Sequence, residues 1–458
     1  MNLNLSPKKL LTKNGVSIVT PFVLITACFA LWGFANDMTG PIVKAFSKIF
    51  RLSVTGSVMV QVVFHLGYFA MAFPAAMYIQ RRSFKGGVMV GLVLFAFGSL
   101  LFLPAKMIGA YVPFLLAYFI MTCGLSFLET SSNTYIYCMG DEQTAICRLN
   151  LAQAFNPIGA LVGMWIAMHF IQAELHPMSA EDRMGLNEMQ YEQLKSHDLG
   201  LIIMPYLLIA LCCALLIFFI RRHMMPREEK PQQQKTLGKA LSELFHMPNY
   251  REGVLALFFY TGAQVCCWTF ILQYGTRVFM LEGMAEKAAE MTAQKYNIVA
   301  MLFFCVSRFV CTFLMYYVKS SRLLASLAII AVALLVGVIF FPDRNGLYCL
   351  VAISACMSLM FPTIYGISLR GVGDNVKFAG AGLIMAIIGG SVFPPLQAMI
   401  IDSKFSIAGL SSVNISFLVP MLCFCVIALY GHRAYVRYYI KNTISISTHH
   451  SQEHEPQE

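Results

Sequence analysis

The chain has 458 residues, of which 58% are apolar and only 12% charged. Soluble domains carry roughly 25% charged residues, so a water-soluble globular fold is excluded. The formal net charge of +10 is scattered over short loops, which suits attraction to an anionic membrane leaflet and offers no basic module for nucleic acid.

Hydropathy read in windows of about 19 residues gives successive stretches of the roughly 20 residues needed to cross a bilayer. They centre on Cys28, Gly67, Phe95, Leu125, Leu161, Ala210, Ala263, Cys305, Ala331, Leu359, Ile388 and Val426. Twelve spans place both termini on one side, and the excess of Lys and Arg in alternate loops makes that side the cytoplasm. The N-terminal segment runs into a span too long for a signal-peptide core, so an uncleaved first helix is expected. The 14 cysteines lie in or beside the spans. Adjacent pairs such as Cys266 with Cys267 lack CxxC spacing, so the cysteines read as small buried hydrophobes and no metal site is expected.

The predicted fold is an all-α membrane protein of twelve transmembrane helices in two six-helix bundles. The predicted divisions are a cytoplasmic N-tail over 1–17, a first bundle over 18–220, a cytoplasmic linker over 221–251, a second bundle over 252–440 and a disordered cytoplasmic tail over 441–458. The linker is rich in charge, Pro and Gln, with an amphipathic helix expected around Leu237 to Phe245. Such a division suggests two repeats with a solute held near the midplane between them. A faint echo supports this: Gly140 and Asp141 follow span four, and Gly373 and Asp374 follow span ten. Small residues over Gly159 to Gly163 and Gly380 to Gly390 would let helices approach closely.

Polar residues inside the spans carry the functional signal. Span one holds Trp32, Asn36 and Asp37. In span four, Ser126, Glu129, Ser132 and Asn133 recur at helical spacing, and in span five Asn150, Gln153 and Asn156 do the same. Span seven holds Gln264 and, one turn on, Trp268. Span eight holds Arg308, eleven residues before Lys319 and so roughly 16 Å from the helix end, too deep to snorkel. Lipid penalises all of these, so they must face protein or a wet cavity. Amides and a carboxylate supply donors and acceptors suited to a polyhydroxylated solute, and an indole can stack on a sugar ring. Interhelical hydrogen bonding is the competing role for the amides, but it does not require an acid. Arg308 needs a carboxylate or carbonyl partner, with Asp37 and Glu129 the candidates.

The runs LWGFAND (Leu31 to Asp37), LETSSN (Leu128 to Asn133), RLNLAQAFN (Arg148 to Asn156), GAQVCCW (Gly262 to Trp268) and FPTIYG (Phe361 to Gly366) together resemble the L-fucose:proton symporter family of the major facilitator superfamily. The wider group includes glucose/galactose permeases. The resemblance implies a role in sugar binding and proton coupling for Glu129, sugar contacts for Gln153 and Asn156, and correspondence of Trp32 and Trp268 to the family's tryptophans. Gly40 stands where that family places a second proton-linked acid. Asp37, three residues earlier on roughly the same face, is the candidate stand-in. Phe361 replaces a tyrosine of the pattern.

The reading that follows is a proton-coupled importer of a hexose, L-fucose by resemblance, working by alternating access without covalent chemistry or a cofactor. Its partners are the sugar, the proton and membrane lipid, and the chain is expected to be a monomer in a bacterial inner membrane. Glu129 and Asp37 are assigned to proton coupling, and Gln153, Asn156, Trp32, Asn36, Asn133, Gln264, Trp268 and Arg308 to the sugar. A glucose/galactose permease coupled to protons or sodium and a non-transporting sugar sensor are the alternatives. A membrane enzyme would need a reactive cluster at a span end, and none is visible.

Overall fold

The computed structural model describes residues 10–452, apart from 14, 53, 168–169, 171–173, 177, 179, 227–235, 404–405 and 408. The chain is helical nearly throughout. Its helices are α1 (Val19–Ile49), α2 (Val54–Arg81), α3 (Phe84–Leu100), α4 (Phe102–Ile108), α5 (Tyr111–Cys138), α6 (Ala145–Gln153), α7 (Asn156–Ile166), α8 (Ala180–Met184), α9 (Glu188–Arg222) and α10 (Leu237–His246). There follow α11 (Pro248–Leu281), α12 (Glu286–Leu314), α13 (Ser320–Phe340), α14 (Arg344–Met357), α15 (Met360–Ser368), α16 (Val376–Met385), α17 (Gly389–Asp402), α18 (Ser412–Ser416) and α19 (Leu418–Gln452). Two short antiparallel hairpins, β1 (Thr12–Lys13) with β2 (Val16–Ser17) and β3 (Ser406–Ile407) with β4 (Leu410–Ser411), complete the described elements.

Among the described residues, 11 helical stretches are long and apolar enough to cross a bilayer. The expected fifth span is present in two pieces, α6 and α7, separated at Ala154 and Phe155, and part of its far end lies outside the described residues. Pro157 at the start of α7 favours this break, because a proline suits the first turn of a helix and not its interior. Span eleven is divided likewise: α16 ends in a 3-10 turn at Ala386–Ile388 before α17 begins. Both divided spans are entered through a 3-10 turn, at Glu142–Thr144 and at Gly373–Asn375. The amphipathic helix of the linker is α10. The backbone of α19 continues to Gln452, past the point where the sequence predicts a disordered tail; extending a formed helix is far easier than starting one.

Contacts divide the chain into two units. Among the described residues, the first comprises 10–244 with Gly371–Ile388, and the second comprises Phe245–Arg370 and 389–452. Within the first, α5 is the central helix, packed against α2, α3, α6 and α16. Every residue from Met121 to Tyr137 is buried, which accounts for its lack of an apolar stripe. Helices α1 and α7 touch backbone to backbone. A Cβ at Gly33 would collide with the Asn156 carbonyl, and one at Gly159 with that of Ala30. Within the second unit, α12 shows how a membrane helix divides its surface. Leu302, Phe303, Val306, Phe309, Val310 and Phe313 are exposed, whereas Arg308 and Thr312 are buried. The apolar face suits lipid and the polar one is turned inward, as hydrocarbon demands.

Candidate functional site

The first unit places Glu129 in the middle of α5, buried, where its carboxylate Oε1 accepts a hydrogen bond of 2.8 Å from the hydroxyl of Tyr68 on α2. The register of the two helices is fixed by Ser126, whose Oγ donates to the Tyr68 carbonyl at 3.0 Å. Two helices therefore meet at one acid.

A second pair lies on the same face system of α5: Gln153 Nε2 donates to Asn133 Oδ1 at 2.6 Å, joining α6 to α5. Around these bonds several buried polar atoms have no partner among the described residues, namely Asn36 Oδ1, Thr130 Oγ1, Ser132 Oγ and Asn133 Nδ2. Folded proteins leave few such groups unsatisfied, and each argues for a water or ligand group that completes it. Both acceptors and donors are on offer, which is what a solute with hydroxyls requires.

The remaining expected residues of this unit separate by role. Asn150 donates back to its own helix at Ile146 O, 2.9 Å away. Asn156 donates to the Phe29 carbonyl at 3.2 Å, so its amide nitrogen ties α7 to α1. The stripe Asn150, Gln153, Asn156 is thus three different contacts, because the chain breaks between α6 and α7. Trp32 is buried with its ring 4.2 Å from that of Phe29. Asp37 is half-buried on α1 and makes no ion pair with a described residue.

In the second unit the polar residues gather at the junction of α14 and α15. Arg308 donates through Nε to the carbonyl of Ser358, and its guanidinium lies 4.5 Å from the centre of the Phe304 ring. Tyr260 donates to the Met357 carbonyl at 3.1 Å, and Ser307 to that of Ala355 at 2.8 Å. The carbonyls at the end of α14, the negative pole of that helix, are therefore met by a cation and two hydroxyls. Trp268 donates from Nε1 to Ser354 Oγ at 3.3 Å and meets Phe304 edge-on at 4.9 Å. Gln264 is half-buried one turn before it. The partner found for Arg308 is thus a carbonyl of its own unit, at a helix break that hydropathy alone does not reveal.

Two residues of structural consequence carry no functional signal of their own in the sequence. Tyr68 lies two spans before the acid, and only the packing of α2 on α5 brings the two together. Arg148, quoted only within its motif, is fully buried and caps α5: Nε donates to Ile136 O at 2.8 Å, Nη2 to Tyr137 O at 2.6 Å, and Nη1 to Thr144 Oγ1 at 3.0 Å.

The description "Major Facilitator Superfamily" belongs to the family model that matches residues 25–403. The chain is 42% identical to an L-fucose-proton symporter of Haemophilus influenzae, over 91% of this chain and 97% of that one. It is 32% identical to an L-fucose-proton symporter of Escherichia coli, over 91% and 93%. A glucose/galactose transporter of Brucella abortus is 29% identical, over 89% and 92%. Among solved structures, a variant of the E. coli fucose:proton symporter FucP superimposes with a TM-score of 0.81 at 29% identity, covering 91% of this chain and 98% of that one. With an acid held among amides in an apolar helix and likeness over nine-tenths of its length, the chain belongs to the Major Facilitator Superfamily and, within it, to the L-fucose:proton symporter family.

Proposed function

We propose that this chain imports L-fucose together with a proton by alternating access, with both termini in the cytoplasm and the chain acting as a monomer in a bacterial inner membrane. Glu129 is the proton-coupling group, and Gln153, Asn133, Asn36, Asn156 and Trp32 bind the sugar from the first unit. Gln264, Trp268 and Arg308 supply sugar contacts from the second. Asp37 takes the place of the acid that Gly40 lacks. Protonation of Glu129 removes a buried charge and turns an acceptor into a donor, so one state of the carboxyl favours sugar and the other releases it. Solute and proton then bias the same two-state element, which is what coupling requires.

The observation that carries this reading is the buried Glu129 carboxylate, bonded to Tyr68 and surrounded by polar atoms whose partners are incomplete. The test is uptake of a panel of labelled hexoses into vesicles holding the purified chain, with and without an inward pH gradient, and with sodium as the alternative driving ion. Fucose accumulation that collapses with the gradient and is lost in Glu129→Gln supports it. Preference for glucose or galactose, drive by sodium alone, or binding without uptake each replaces it with one of the other readings.

A further inference from the structure

Resting on that reading, we propose that Ser354 and Phe304 are positioning residues that turn Trp268 so that it offers the sugar a bare ring and no donor. This wall of the second unit then reads the apolar C6 methyl edge of L-fucose. Trp268 on α11 donates from Nε1 to Ser354 Oγ at 3.3 Å. That N–H is the one donor an indole has. Ser354 is buried on α14, so the polar tip of the ring points into the helix packing. The buried Phe304 ring meets the indole edge-on, with centroids 4.9 Å apart and planes at 79°. Trp268 itself is half-buried, which leaves part of its surface uncovered.

The same frame holds the cation. Phe304 carries the Arg308 guanidinium over its face at 4.5 Å, and Arg308 donates to the carbonyl of Ser358, one turn beyond Ser354. Ring and guanidinium are thus pinned at successive turns of one helix with Phe304 between them. Ser307 locks the register of α12 on that helix, since its Oγ donates to the Ala355 carbonyl at 2.8 Å and accepts from Ser358 Oγ at 3.2 Å. The indole cannot turn its N–H toward a solute without giving up Ser354 and lifting away from Phe304.

A 6-deoxyhexose has two unlike sides. Its ring hydroxyls need partners, which amides and a guanidinium supply, and its C6 methyl needs a surface without them. An aromatic ring whose donor is engaged elsewhere buries a methyl with no polar cost. L-Galactose is L-fucose with a hydroxyl on C6. Against the same ring that hydroxyl loses water and gains no partner. Were the indole N–H free, it could donate to the extra hydroxyl, and the preference for the deoxy sugar would shrink. Ser354 therefore sets the preference without touching the sugar, by occupying the donor.

The experiment is calorimetric binding of L-fucose and L-galactose to the purified full-length chain, for wild type, Ser354→Ala, Ser354→Thr, Trp268→Phe and the double variant Ser354→Ala with Trp268→Phe. Wild type should bind L-galactose on the order of tenfold more weakly than L-fucose, and equal affinities overturn the inference. Ser354→Ala should narrow that ratio by about threefold or more, the worth of one neutral hydrogen bond, and Ser354→Thr should restore it. In the Trp268→Phe background, where there is no N–H to free, Ser354→Ala should leave the ratio unchanged. A merely structural Ser354 would weaken both sugars alike, and an unchanged ratio in Ser354→Ala overturns the proposal. Wild type also gives a readout that does not depend on the Ser354 variants folding: ultraviolet resonance Raman spectra, taken as the difference from Trp268→Phe, report the hydrogen bond of the Trp268 N–H. Added L-fucose should leave that band in place while Trp268 emission changes. A band that moves with sugar, or emission that does not, overturns the assignment. Absence of L-fucose binding by the wild type would instead overturn the symport reading itself.

Discussion

Arg308 occupies the carbonyl that Pro362 leaves empty. A helical carbonyl is normally met by the N–H four residues on, and the residue four after Ser358 is proline, which has none. The Arg308 guanidinium takes that place. The charge is thereby met in an apolar helix by a freed carbonyl at a negative helix pole and by the face of Phe304.

Replacing Arg308 by Met should abolish transport and lower stability by about 1–3 kcal/mol, the usual cost of leaving a buried carbonyl unmet. Pro362→Ala restores a backbone donor to Ser358, so the same Arg308→Met change should cost less stability in that background. Thermal unfolding of the four combinations in detergent measures the coupling. Additive losses would mean that the carbonyl is not what Arg308 satisfies.

Arg148 holds the last turn of α5 with a fork of donors. Arg148→Gln should lower stability by about 2 kcal/mol, because two helix-end carbonyls lose charged partners. Arg148→Lys should recover less than half of this, since an ammonium cannot reproduce the planar fork. Full rescue by lysine would reduce the role of Arg148 to its charge.

Asp37→Asn tests whether this acid stands in for the one missing at Gly40. Accumulation of sugar against its gradient should fall while exchange of labelled for unlabelled sugar persists. Accumulation at the wild-type level would leave Glu129 as the sole coupling acid.

Outside the membrane-spanning part, Glu282 at the end of α11 and Arg344 at the start of α14 form a bidentate pair with both bonds at 2.7 Å. Each charge alone sits at the unfavourable pole of its helix. The Arg344 hydrogen bond holds the Glu282 carboxyl below its usual value. A depressed acid contributes stability above its unfolded value, near 4.3, and loses it as pH falls through the lower folded value. Glu282→Gln should therefore be slightly less stable than wild type at pH 7 and equal to it in acid or high salt. The double exchange Glu282→Arg with Arg344→Glu should be at least as stable as wild type, because it keeps the pair and corrects both helix poles.

Much of this was legible in the sequence, for a single reason: hydrocarbon makes every charged or amide side chain conspicuous. Glu129, Gln153 and Asn133 stand out on that ground, and the structure brings the last two together. Tyr68 did not stand out, because tyrosine is ordinary in membrane helices and only the pairing of α2 with α5 makes it a partner. The carbonyl partner of Arg308 depends on a break between α14 and α15, and Pro362 marks such a break without saying which side chain fills it. The even spacing of Asn150, Gln153 and Asn156 suggested one face. The interruption at Ala154 and Phe155 divides it, leaving Asn156 to bind the Phe29 carbonyl.

The seam between α1 and α7 has a mechanical corollary. With a backbone oxygen seated where Gly33 and Gly159 lack side chains, neither helix can slide or roll without colliding with the other. Trp32, Asn36 and Asp37 must therefore travel with Asn156 as parts of one lever. Paired spin labels on the outer surfaces of these two helices should keep a constant separation throughout turnover, whatever distances change elsewhere in the molecule.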